Sequence, residues 1–153
     1  MNMGQMMLVV LAVALFTTII MGVNHNFQNQ LIMAGDNIYN TQALKVADYI
    51  FQRFEVDLIT DQIPFQTFFN HWNIATGGGQ YPEIVINNAS YFATIEAIPI
   101  NAMGAPITSF SPDRLRLNIR IRVEVGGRVL NVGTAAAPFT KNFTNVQFSD
   151  APV

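Results

Sequence analysis

The side chains able to do acid–base, nucleophilic or metal chemistry are few in this sequence, and they are scattered. There are two histidines, His25 and His71, and no cysteine. His25 stands beside a long apolar run and His71 beside Trp72. Neither belongs to an HExxH or HxxxH arrangement, whose spacing would put two imidazoles on one helix face around a zinc ion. Without cysteine, thiolate ligands, cysteine nucleophiles and disulfides are excluded. Ser90, Ser109, Ser111 and Ser149 lie in no GxSxG context. The 10 carboxylates are dispersed, and no pair is spaced for acid–base work. Gly77–Gly78–Gly79 lacks the lysine and the strand–loop–helix setting of a phosphate cradle. The expectation is a protein without a catalytic centre, metal, cofactor or small-molecule substrate.

The arginines form the one charged pattern. Arg116, Arg120 and Arg122 alternate with apolar residues, so on a strand they share a face, with Arg114 and Arg128 nearby. One reading is a solvated face that discourages edge-to-edge pairing. The other is a subunit contact, because residues 36–62 carry Asp36, Asp48, Glu55, Asp57 and Asp61 against Lys45 and Arg53. Asp48 and Glu55 would then face the arginines of a neighbour. On that reading, charge reversal at Arg120 and Arg122 weakens assembly and leaves the monomer fold intact. A net charge of −2 offers no electrostatic case for nucleic acid as the main partner. Asn88–Ala89–Ser90 and Asn142–Phe143–Thr144 are triplets of the N-glycosylation type, candidate modification sites if exposed.

The elements that must position these residues fall into compositional zones. Only 12% of residues are charged, and no Asp, Glu, Lys or Arg precedes Asp36. Met6 to Val23 reads MMLVVLAVALFTTIIMGV, 18 residues without a charge. At about 1.5 Å per residue, such a helix is long enough for a hydrocarbon layer of about 30 Å. A helix apolar on every side must be buried, in lipid or among other helices. A secretory signal peptide would show a positive n-region and an A-x-A-like site, and neither is present around this run. A single-pass anchor would carry Lys or Arg on its cytoplasmic flank, but the first is Lys45. The core helix of a soluble protein would have a polar face.

The N-terminal pattern, MNMGQMMLVVLAVALFTTIIMG, resembles the mature N-terminus of type IV pilins. That family begins with Phe or Met, has Glu at its fifth position and continues with about twenty apolar residues. With Met1 as the mature first residue, Gln5 stands where the family has Glu, and Gly22 where it often has a helix-breaking Pro. With cleavage after Gly4, Gln5 is first and Val9 takes the fifth position. The resemblance covers roughly the first 60 residues. It implies assembly through Met1, Gln5, Leu8, Leu11, Leu15, Ile19 and Gly22, a membrane-inserted pool before assembly, and a filament of identical subunits at the cell surface. It also implies local melting of the helix near Gly22, where Asn24–His25–Asn26 are weak helix formers. The alternatives are a single-pass anchored envelope protein and a pseudopilin of a secretion system.

Beyond residue 35, Ala43, Ala47, Ile50, Phe54 and Leu58 recur every three or four positions, predicting an amphipathic helix over 36–62 with Asp36 as its N-cap. Pro64 ends it. Phe65, Phe68, Phe69 and Trp72 form an aromatic cluster on a short helix or loop, and the three glycines after it read as a flexible connection. The periodicity then becomes two. Leu115 to Val125 alternates strictly, Gly126–Gly127 turns the chain into Arg128–Val132, and further strands are expected at Tyr91–Ile98 and Phe139–Phe148. The expected class is α+β: an apolar helix over 1–35, an amphipathic helix over 36–62, and an antiparallel sheet domain over 63–153.

Overall fold

A computed structural model describes residues 2–60, 63–73, 78–108 and 113–145. The fold is α+β: a long apolar N-terminal helix, a short second helix, and an antiparallel sheet. Helix α1 spans Met3–Ile59 without interruption. Its start is capped by Asn2 and Gln5. The Gln5 N–H donates to the Asn2 carbonyl at 2.8 Å, and the Asn2 N–H donates to Gln5 Oε1 at 3.3 Å. A Gln three residues after the cap thus reaches back to it, as in a capping box.

Two sequence expectations fail along α1. The stretch from Gly22 to Asn26 is helical, not melted, and Asp36 lies inside the helix instead of capping it. The physical reason is cooperativity. The cost of nucleation falls once, so weak helix formers at about 0.5–1 kcal/mol each are carried by the intact turns on either side.

The chain divides into two compact units, Met1–Ile38 and Tyr39–Val153. In the first, every described residue from Asn2 to Ala34 is exposed. In the second, α1 buries one face: Ala43, Val46, Ala47, Ile50, Phe51, Phe54 and Leu58. All five residues of the predicted stripe are among them. Helix α2, Phe65–Trp72, follows Pro64 and buries Phe65, Phe68, Phe69 and Trp72 at helical spacing. Phe54 meets Phe68 edge-on at 5.0 Å and Trp72 at 5.3 Å between ring centroids, joining the two helices within this core.

Two long strands organise the sheet: β3, Ala89–Pro99, and β4, Arg114–Val125, which pair antiparallel along their length. Each outer edge is shared by two short strands. Beside β3 lie β1, Gly79–Gln80, and β2, Ile84–Ile86. Beside β4 lie β5, Arg128–Val132, and β6, Phe139–Thr144. Alternation decides the two faces. Tyr91, Ala93, Ile95, Leu115, Leu117, Ile119, Ile121 and Val123 are buried in the core, and the intervening residues point the other way.

Two turns show how local chemistry fixes this register. Gly126 and Gly127 have φ of 54° and 77°, the mirror-image turn that matches strand twist. Asn87 and Asn88, with φ of 50° and 62°, make the same kind of turn between β2 and β3. Gly79 is not part of a flexible connection: it opens β1 opposite Ile95, and a Cβ there would lie 2.4 Å from the Trp72 ring. Gly77 lies outside the described residues.

Candidate functional site

The feature that sets this chain apart is the exposed apolar surface of α1. Of the residues expected to drive assembly, Leu8, Leu11, Leu15, Ile19 and Gly22 recur at helical spacing along one stripe, and all are exposed. Gln5 is exposed too, with its side chain engaged by Asn2. Met1 lies outside the described residues. Met7, Val10, Phe16 and Ile20, on other faces, are equally exposed, so the segment is apolar all round. Its two hydroxyls are satisfied within the helix: Thr17 donates to the Val13 carbonyl at 2.8 Å and Thr18 to the Ala14 carbonyl at 2.9 Å. Nothing polar on the segment from Met6 to Gly22 therefore resists transfer out of water. By length and composition, α1 holds a candidate membrane-spanning segment near its N-terminus.

That segment is followed by a polar zone and then a second apolar one. Asn24, His25, Asn26, Gln28, Asn29 and Gln30 place hydrogen-bonding groups around the helix on every side but that of Phe27. Beyond them Leu31, Ile32 and Met33 are again apolar and exposed. The signal was legible as an apolar–polar–apolar order. Its meaning depends on the helix continuing through it.

Four of the five residues expected to make subunit contacts are engaged within the chain, Asp48 being the exception. Arg120 forms an ion pair with Glu96. Arg122 pairs with Glu124 at 3.0 Å and lies over the Phe92 ring at 5.0 Å. Arg116 donates from Nη2 to the Gly104 carbonyl at 3.0 Å and from Nε to Asn142 Oδ1 at 3.4 Å. Glu55 accepts from Lys141 Nζ at 2.6 Å. Asp48 is exposed on α1. The three arginines do share the face of β4 turned from the core, but reversal at Arg120 would set a carboxylate against Glu96. That variant perturbs the monomer as well as any contact.

A shallow trough of about 410 Å³ crosses this face, lined by Phe92, Thr94, Arg120, Arg122, Asn131 and Thr134 among others. A second, more apolar hollow of about 330 Å³ lies between Phe54, Pro64, Phe68, His71 and Trp72. His71 stands edge-on to Trp72 at 4.5 Å, and both it and His25 are exposed. Among the described residues, no three His, Asp or Glu side chains gather as a metal ion requires. Asn88 sits exposed in the β2–β3 turn and Asn142 exposed on β6, so both triplet asparagines are accessible.

Comparison with protein-family models, with curated proteins and with solved structures returns no match. An apolar helix followed by an antiparallel sheet is the general architecture of pilin-like proteins, and that order is present here.

Proposed function

We propose that the chain is a structural subunit of a type IV pilus-like filament, assembled by burying its N-terminal helix among identical neighbours. The observation that carries this reading is the length of exposed helix. Asn2 to Ala34 spans about 50 Å at 1.5 Å per residue, and a bilayer core covers about 30 Å. Lipid can take Met6–Val23, but Leu31–Met33 then lies beyond a polar ring that hydrocarbon cannot satisfy. The second apolar zone calls for a protein partner outside the membrane. Another copy of this helix offers one without any further component.

Before assembly, Met6–Val23 would hold the subunit in the membrane. In the filament, side-chain burial supplies the driving force, at about 1.5–3 kcal/mol for a fully buried Leu or Val. A head-to-tail contact that does not close propagates into a fibre. The sheet unit, with its own core, would lie on the outside at the cell surface. The second reading, a single-pass anchored protein or pseudopilin, is favoured by the fit of the 18-residue uncharged run to one bilayer crossing. Electron microscopy of material sheared from cells bearing the protein, with peptide mass identification, separates the two. Thin fibres made of this chain are expected. A chain found only in the membrane fraction, with no fibres, supports the anchored protein instead.

A further inference from the structure

We infer that the ring of polar side chains from Asn24 to Gln30 sets the axial register between neighbouring copies of the helix; this rests on the filament reading above. The ring lies within continuous α1, flanked by the apolar run ending at Val23 and the apolar zone beginning at Leu31. At 100° per residue, the six polar groups in seven consecutive positions surround the helix except for an arc of about 120° occupied by Phe27. All are exposed, and among the described residues none has a hydrogen-bond partner for its side chain.

If both flanking zones are buried by neighbours, the ring is carried inside with them. An amide left unpaired among Leu and Val side chains disfavours that packing by roughly five- to a hundredfold. An amide is both donor and acceptor, so the partner that best satisfies the ring is the same ring on another copy. No Asp, Glu, Lys or Arg precedes Asp36, so no charge on this segment selects a different occupant. Sequences that place one Asn in a helix–helix seam fix register in the same way, by making every other offset leave an amide unpaired.

The ring is about 9 Å tall, from six steps of 1.5 Å. Helices in contact must therefore be staggered by no more than about 9 Å for the rings to meet. Apolar side chains alone impose no such limit, since Met6–Val23 would pack against itself at many offsets.

The chain has no cysteine, so introduced thiols report without background. Full-length Asn26→Cys and Asn29→Cys chains are co-expressed with each other and with Ala14→Cys, which lies about 18 Å from position 26 along the helix. Fibres are then oxidised and resolved as dimers. Cross-links between positions 26 and 29, at least tenfold above those from 26 to 14, are expected. A predominance of 26-to-14 dimers overturns the register role and leaves the filament reading standing. Monomers alone from membranes, with no fibres even for the unsubstituted chain, overturn both. Should the substituted chains fail to assemble, the stagger in a reconstruction of the unsubstituted fibre decides, and any value well above 9 Å refutes the inference.

Discussion

Replacing Leu31, Ile32 and Met33 together by Gln tests whether the second apolar zone is covered by protein. These residues are 57%, 48% and 66% exposed, so about half of each side chain remains to be buried. Full burial of such a side chain contributes about 1.5–3 kcal/mol, so half contributes about 1 kcal/mol. The three together contribute about 3 kcal/mol per subunit added, or roughly a hundredfold in the assembly constant at 1.4 kcal/mol per tenfold. Gln has a helix propensity near that of Leu and Met, so α1 stays helical. Met6–Val23 is untouched, so insertion into the membrane stays normal. The assay compares fibre yield in sheared material with chain content in the membrane fraction. Fibre yield should collapse while the membrane pool holds or grows. Undiminished fibres would show that Leu31–Met33 is not covered on assembly, and the length-based reasoning would fail.

The remaining expectations concern the second unit, with Gly22 of the first unit as a contrast. Phe54→Ala removes a ring that contacts both Phe68 and Trp72, and should cost about 3–5 kcal/mol, read by denaturant titration of Trp72 fluorescence in detergent. Gly79→Ala brings a Cβ against the Trp72 ring and should cost about 1–3 kcal/mol, whereas Gly22→Ala meets nothing within 4 Å and should raise helix stability by about 1 kcal/mol. Circular dichroism melts distinguish the two. Burial raises the Tyr91 phenol above its ordinary 10.0, with Tyr39 adding to the effect, and burial followed by Tyr49 raises that of Tyr81. The folded state therefore favours the neutral phenols. Stability is full below pH 10 and falls as pH climbs from there through the raised folded values, because the unfolded chain ionises first. Tyr91→Phe should flatten that decline in pH-dependent melts.

Much of this architecture was legible because periodicity survives in strong elements. Leu115–Val125 and Arg128–Val132 appear at almost the predicted limits, since strict alternation and a Gly–Gly turn leave one register. The α1 stripe was legible for the same reason at a period of 3.6. The short edge strands were not. β1 and β2, of two and three residues, carry too little alternation to read, and they exist because β3 offers them an edge. The Asn87–Asn88 turn did carry a local signal, two residues tolerant of positive φ between apolar runs. Helix continuity through Gly22 and Asp36 was hidden, because propensity is local and cooperativity is not. The ion pairs between distant parts of the sequence were hidden as well, unlike the i,i+4 pair of Arg53 and Asp57. Glu55 finds Lys141 across 86 positions of sequence, and Arg120 finds Glu96 through strand pairing. Charge counting placed these groups on surfaces without revealing that they were occupied.

The most direct test of the central claim is a helical reconstruction of fibres sheared from cells bearing this protein. The account predicts a bundle of N-terminal helices along the axis, Leu31–Met33 covered by neighbouring copies, and the sheet units outside. Fibres built from another protein, with this chain left monomeric in the membrane, would contradict it.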